Sequence, residues 1–188
     1  MSRLSALLSI LIALCGLMML PPDEPVMAGK LADQLIGAAE VGEIDTVAKL
    51  LDQGVPVEAR NPDGWTALMK ATYEDHEDIV RLLIEKGASV DTQEYAGWTP
   101  LMMAAQFGHR KIAKLLLQNG AKVNTQNNAG ATAIMFAALN GHQGLIQDLQ
   151  AKPAEVNIKD QNGKTALIYA AAAGYAEIVQ QLVSLGAD

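Results

Sequence analysis

The chain contains almost no cysteine and few aromatic residues. Cys15 is the single cysteine among 188 residues, and it lies within an N-terminal apolar stretch. If that stretch is removed, the mature chain can form no disulfide bond, thiolate nucleophile or Cys-ligated metal site. A chain without thiols also suits an oxidising compartment. Aromatic residues make up 4% of the chain, so its core must be built mainly from small and aliphatic side chains.

Basic residues are also scarce, with 14 Lys and Arg against 21 Asp and Glu and a net charge of −7. A nucleic-acid groove is therefore excluded, because phosphate contacts require a basic face. The charge is uneven: residues 31–96 carry 14 acids and 5 bases, whereas residues 97–129 carry four bases and no acid. This asymmetry indicates either solvated faces or a dipolar surface that orients a charged partner.

Motifs for catalysis and for cofactor binding are missing as well. No spacing suggests a nucleophile paired with a base, and no glycine-rich phosphate loop follows a strand. His76, His109 and His142 lie 33 residues apart, but no acid recurs with them as metal ligands do. The acidic run 74–78 lacks the loop pattern of a calcium site and favours a solvated turn. We therefore expect no enzymatic activity, no cofactor and no metal.

Residues 1–28 differ from the remainder of the chain. Arg3 precedes an apolar stretch over residues 4–20, Pro21 and Pro22 follow, and Val26 and Ala28 are small residues at the −3 and −1 positions of a cleavage site. This pattern predicts a secretory signal peptide that is cleaved after Ala28. An uncleaved membrane anchor is one alternative. A lipoprotein signal ending at Cys15 is another, which the large side chain of Leu14 disfavours.

Residues 29–188 form the predicted domain, and an internal repeat dominates it. Gly64, Gly97, Gly130 and Gly163 lie 33 residues apart, and each opens a similar segment, such as Gly97-Trp98-Thr99-Pro100-Leu101-Met102-Met103-Ala104. A fixed period of this length predicts a stacked all-α solenoid, which presents a surface rather than enclosing a pocket.

The repeat resembles the ankyrin repeat. The resemblance lies in Thr99-Pro100-Leu101-Met102-Met103-Ala104 and in the later segment from Gly108 to Asn124. It implies about five repeats, each with a helix-turn-helix and a short β-hairpin. Their predicted ranges are 31–63, 64–96, 97–129, 130–162 and 163–188. The family's histidine after Thr-Pro-Leu is replaced by Met or Ile, which implies loss of the side-chain network that links neighbouring hairpins.

Local chemistry predicts how each repeat is built. Thr66, Thr99, Thr132 and Thr165 are placed to cap the first helix of their repeats, and a glycine such as Gly108 makes the turn to the second helix. Asp75 replaces that glycine once and should keep a left-handed backbone.

The fourth repeat departs most from the pattern. Pro153 replaces the glycine that ends the second helix in other repeats, and proline cannot take a positive φ. Asp148 and Gln150 weaken the apolar stripe of that helix. We expect this to be the softest internal repeat.

Seven of the eight aromatic residues fall on the hairpins or the first helices. The resemblance implies that these positions form a concave binding surface, and aromatic side chains are enriched in binding hot spots. The candidate protein-binding residues are Trp65, Lys70, Tyr73, Tyr95, Trp98, Met103, Phe107, Phe136 and Tyr169.

The sequence therefore predicts an exported, non-enzymatic and monomeric module that binds a protein partner. It would be periplasmic or secreted, with no contact with nucleic acid, and none with a membrane once the signal is removed. Small exported bacterial ankyrin-repeat proteins have a similar layout. That similarity implies one of three roles. The protein would support a periplasmic enzyme in stress defence, provide immunity against a toxin acting in the periplasm, or act as a secreted effector that binds host proteins.

Overall fold

The computed structural model describes residues 24–150 and 155–188, with side chains from residue 29 onward. Within these ranges the chain forms ten helices and no strand. The helices are α1 (Glu24–Val41), α2 (Ile44–Asp52), α3 (Ala67–Tyr73), α4 (Glu77–Glu85), α5 (Pro100–Phe107), α6 (Arg110–Gln118), α7 (Ala133–Leu139), α8 (Gln143–Gln150), α9 (Ala166–Ala173) and α10 (Ala176–Ser184).

The helices form two layers of a solenoid. Helices α1, α3, α5, α7 and α9 each contact the next in one layer, and α2, α4, α6 and α8 do so in the other. The core lies between the layers, where Leu68 and Leu101 of the first layer are buried along with Ile79 and Ile112 of the second. The all-α repeat solenoid predicted from the 33-residue period is confirmed.

Threonine begins the first helix of four repeats. The Oγ1 atoms of Thr66, Thr99 and Thr165 accept hydrogen bonds from the backbone N–H three residues later, at 3.3, 3.3 and 3.5 Å. Thr132 differs, since its buried Oγ1 has no hydrogen-bond partner among the described residues. The amide of Met135 donates instead to the backbone carbonyl of Thr132 at 3.1 Å, which satisfies the same donor.

A left-handed residue connects the two helices of each repeat. Gly108 has φ of 78°, and a Cβ atom there would lie 2.6 Å from Cε1 of His142. Asp75 has φ of 61° and is the one non-glycine residue with positive φ in the described ranges. The prediction that aspartate preserves this turn is confirmed.

The periodic histidines join consecutive repeats. Nε2 of His76, His109 and His142 lies 3.0, 3.1 and 3.3 Å from the carbonyl oxygens of Glu40, Tyr73 and Gln106, each one repeat earlier. Each imidazole thus bridges the end of one first helix to the next repeat.

The expected β-hairpins take the form of tight loops, and one side chain organises each loop. Oδ1 of Asn61 accepts hydrogen bonds from the amides of Asp63 and Trp65 at 3.1 and 2.9 Å. Asn127 and Asp160 do the same in later repeats, whereas Glu94 accepts the two amides with its two carboxylate oxygens. The loops depend on these acceptors rather than on strand pairing.

A second set of side chains links the loops to one another. Arg60 donates to the carbonyl oxygen of Gly64 in its own loop and to that of Gln93 in the next, at 3.0 and 2.8 Å. Gln93 and Gln126 repeat the arrangement, each bridging to the following loop at 3.2 Å. The predicted loss concerns the network of the family's histidine, and these residues link the loops in its place.

Residues 1–23 of the predicted signal peptide 1–28 lie outside the described residues, as does Pro153, and the predicted cleavage point after Ala28 falls within α1. Within the described ranges, no helix combines the length and apolarity needed to cross a membrane.

Candidate functional site

An aromatic pocket lies between the second and third repeats, with a volume of about 360 Å³. The second repeat contributes the residue that ends the loop before α3, the end of α3 and part of the loop that follows α4. The third repeat contributes the end of that same loop and α5. The residues that line the aromatic pocket are Trp65, Tyr73, Glu94, Ala96, Trp98, Met103, Gln106 and Phe107.

Ring contacts connect the walls of the aromatic pocket. Tyr73 meets Trp65 edge-on with ring centroids 5.6 Å apart, and it meets Phe107 edge-on at 4.7 Å. Such edge-to-face pairs are favourable because the positive edge of one ring faces the negative face of the other. Tyr73 and Phe107 remain 40% and 44% exposed, so they present apolar surface to solvent.

Local backbone structure places the two tryptophans. Each follows the repeat glycine, and its backbone N–H donates to the organising side chain of the loop, Asn61 for Trp65 and Glu94 for Trp98, both at 2.9 Å. Each indole therefore projects from the base of its loop, just before the first helix. The 33-residue period then repeats this placement one unit along the solenoid.

Charges around the aromatic pocket are few and fixed. The Lys70 ammonium lies 4.9 Å from the centroid of the Trp65 ring and 2.7 Å from Oε1 of Glu40. The Glu94 carboxylate accepts hydrogen bonds from the amides of Ala96 and Trp98 at 2.8 and 2.9 Å. Among the residues lining the aromatic pocket, Glu94 carries the only formal charge.

The structure brings together five of the nine predicted site residues and places Lys70 and Phe136 beside them. Phe136 stacks on Trp98 with ring centroids 4.3 Å apart, and both rings pack partly against the core. Met103 is only 2% exposed, so it forms the floor of the aromatic pocket. A partner can therefore reach Met103 only through the aromatic pocket.

Tyr95 and Tyr169 lie apart from the aromatic pocket. Tyr95 is 69% exposed and packs its ring beside Gly64, where an added Cβ would approach it to 3.1 Å. The hydroxyl of Tyr169 donates a hydrogen bond to Oδ2 of Asp160 at 2.6 Å, and this hydrogen bond raises the pKa of Tyr169. Tyr169 thus braces the loop of the last repeat.

Sequence reasoning missed Glu94 and Gln106, because the search for binding residues followed aromatic registers. Glu94 could have been found, since it is the longer acidic side chain at a register otherwise occupied by Asn61, Asn127 and Asp160. Leu139 was also missed; it is an exposed apolar residue at the register of Tyr73.

The basic residues of the third repeat face acids on neighbouring repeats. Arg110 and Lys114 contact the carboxylate of Asp148 in α8, with Arg110 Nη2 3.1 Å from Oδ1. Lys111 and Lys122 lie 3.8 and 3.9 Å from Glu77 and Asp91 of the second repeat. These contacts join repeats and favour the interpretation of solvated, mutually paired faces over a dipolar docking surface.

In the described residues, no group of three or more His, Cys, Asp or Glu side chains is arranged to hold a metal ion. The acidic turn before α4 has other contacts: Asp75 Oδ1 lies 3.3 Å from Nδ1 of His109, and Glu77 pairs with Arg81 at 3.0 Å. These carboxylates therefore serve contacts within and between repeats.

Comparison with known proteins identifies the fold family. A family model described as ankyrin repeats (3 copies) matches residues 35–127 and again residues 123–188. No curated protein matches the chain. The two matches together extend over most of the chain and follow the helix pairs and loops described above, and the chain belongs to the ankyrin-repeat family.

Proposed function

We propose that this chain is an exported, non-enzymatic module that binds a protein partner through the first-helix face containing the aromatic pocket. Ankyrin repeats are protein–protein interaction modules. The observation that carries the proposal is the aromatic pocket itself, because it leaves Tyr73 and Phe107 half exposed on an acidic chain. Contiguous apolar surface formed by such rings is a feature of interaction sites.

Burial of the two exposed rings supplies the proposed binding energy. Rings at interface centres are frequent hot spots, and their truncation costs about 2 kcal/mol or more. Tyr73 and Phe107 already contact each other, and Tyr73 also contacts Trp65, so both rings lose little conformational freedom when a partner covers them. The aromatic pocket is therefore pre-organised for binding.

Export is part of the proposal and rests on residues 1–28. The partner would then be periplasmic or extracellular. The identity of the partner would decide between three roles: support of a periplasmic enzyme in stress defence, immunity against a periplasm-acting toxin, and action as a secreted effector.

A photo-cross-linking experiment tests the binding face. The full chain is produced in the source organism with p-benzoylphenylalanine at position 107, and a matched chain carries it at Ile44. Ile44 is 40% exposed, close to the exposure of Phe107, but lies on the second-helix layer. We expect a discrete cross-linked protein from position 107 and none from position 44.

The captured protein then allows a quantitative test. Replacing Tyr73 and Phe107 by Ala should weaken its binding about 30-fold or more, since 1.4 kcal/mol corresponds to a factor of ten, whereas Ile44→Ala should leave affinity unchanged. Cross-linking from position 44 alone, or full affinity in the double variant with native helical content, would move the interface away from the aromatic pocket.

A further inference from the structure

We infer that the aromatic pocket receives an arginine side chain of the protein partner, and that Glu94 selects for its positive charge. This inference rests on the proposed protein-binding function and specifies the chemistry of the partner at one position.

The shape and walls of the aromatic pocket suit a guanidinium group. Its volume of about 360 Å³ exceeds that of a single side chain, and four rings contribute to its lining: Trp65, Tyr73, Trp98 and Phe107. A guanidinium is planar and weakly hydrated, and it stacks on aromatic faces. A ring face is negative and attracts a cation, as the face of Trp65 already does with Lys70.

Charge complementarity also favours a cation. Glu94 is the single charged residue in the lining, and no Lys or Arg lines the aromatic pocket. Two backbone amides hold its carboxylate in place. The one charge within the lining is therefore negative, which attracts a positive group and repels an anionic one.

The same chemistry already occurs once within the chain. The Lys70 ammonium lies over the Trp65 ring at 4.9 Å while Glu40 holds it at 2.7 Å. A cation is there shared between a tryptophan face and a carboxylate. We infer the same arrangement for the partner's arginine, with Glu94 in the role of Glu40.

The repeat itself provides matched variants of Glu94. Asn61, Asn127 and Asp160 organise their loops with one side-chain oxygen that accepts both amides. Asn at position 94 can therefore accept the loop amides without carrying a charge, and Asp can accept them while keeping the negative charge. Glu94→Asn and Glu94→Asp thus separate the charge from the fold.

The two tryptophans allow a specific measurement. They are the only tryptophans in the chain, and both line the aromatic pocket, so the indole N–H signals in a nitrogen–proton correlation spectrum report on it directly. The full chain is titrated with N-acetyl-arginine amide and, separately, with N-acetyl-citrulline amide, which has nearly the same shape and no charge.

We expect saturable shifts of both indole signals with the arginine compound and at least about fivefold weaker binding of the citrulline compound, a ratio typical of one cation–π contact. Glu94→Asn should lower the arginine affinity about threefold or more, and Glu94→Asp should retain it. Equal binding of the two compounds, no shift with either, or unchanged affinity in Glu94→Asn would overturn the inference.

The outcomes also separate the two proposals. If position 107 cross-links a partner while the indole signals do not distinguish arginine from citrulline, the protein-binding function stands and the arginine assignment fails. If the signals distinguish the two compounds but position 107 captures nothing, the protein-binding proposal fails.

Discussion

At the scale of single residues, the turn between paired helices depends on backbone conformation more than on side-chain chemistry. Gly108 and Asp75 occupy the same register with φ of 78° and 61°. The periodic histidine of the next repeat packs against this turn. His142 packs against Gly108, and His109 packs against Asp75. Glycine gives the imidazole more room, whereas aspartate adds a charged contact.

Replacing Gly108 by Ala should therefore destabilise the protein by about 2 kcal/mol or more. Alanine pays roughly 1 kcal/mol for the left-handed conformation, and its Cβ would lie 2.6 Å from Cε1 of His142, so the ring must move. Urea unfolding followed by circular dichroism measures this change. A variant at least as stable as the parent would show that the turn is not constrained as described.

Asp75→Gly serves as the counterpart to this substitution. It removes the positive-φ penalty but loses the contact with His109 and increases the entropy of the unfolded chain. These effects are each small at an exposed site, so we expect stability within about 0.5 kcal/mol of the parent.

The same scale shows where sequence reasoning succeeded and where it failed. The left-handed Asp75 could be predicted because the repeat register dictates its φ. The burial of Met103 could not, because the residues at its register in other repeats, Lys70, Phe136 and Tyr169, are only partly buried. Glu94 was missed because the search followed aromatic registers, although it is the longer acidic side chain at its own register.

At the scale of secondary-structure elements, adjacent helices of the second layer are joined by ion pairs. Asp148 of α8 receives hydrogen bonds or ion-pair contacts from Arg110 and Lys114 of α6. The hydrogen bond from Arg110 lowers the pKa of Asp148, and the charges of Arg110 and Lys114 act in the same direction. This carboxylate therefore connects the third and fourth repeats.

The link should depend on pH in a defined direction. The pKa of Asp148 is lower in the folded state than in the unfolded state, where it is about 3.9. The ionised carboxylate therefore stabilises the fold at pH values above the unfolded pKa, and this stabilisation is lost as pH falls through the lower folded pKa. We expect Asp148→Asn to lower the melting temperature at pH 7, with the difference from the parent shrinking below about pH 4. Asp33→Asn, at an exposed position of α1, should show no such gap at pH 7. A difference that persists unchanged into acid would exclude the ion pair as its cause.

At the scale of the whole molecule, the period of the sequence was sufficient to predict the solenoid but not the site. Each repeat places equivalent residues at equivalent points, so the layers and the core follow from Gly64, Gly97 and their counterparts. The aromatic pocket depends on which repeats carry large rings side by side. Trp65 and Trp98 share a register, yet only the stacking distance between repeats shows that Tyr73 and Phe107 touch.

Local stability should also vary along the solenoid, because a repeat array is held together by contacts between neighbours. Helix α6 buries five residues, including Leu115 and Leu117, whereas α8 buries three. At the register of Leu117, α8 carries Gln150, whose buried Nε2 has no hydrogen-bond partner among the described residues. A buried donor without a hydrogen bond destabilises the folded state, whereas a buried apolar side chain at the same place does not carry this penalty.

We therefore expect the amides of α8 to exchange hydrogen faster than those of α4 and α6, as measured by mass spectrometry after peptide digestion. Gln150→Leu should restore the apolar stripe, stabilise the protein by about 1 kcal/mol and slow exchange in α8, whereas Gln118→Leu, at an exposed position of α6, should not. Exchange in α8 as slow as in α6 would show that the fourth repeat is not the weak point. Slow exchange in α8 of the variant, with α4 unchanged, would locate the weakness at Gln150 itself.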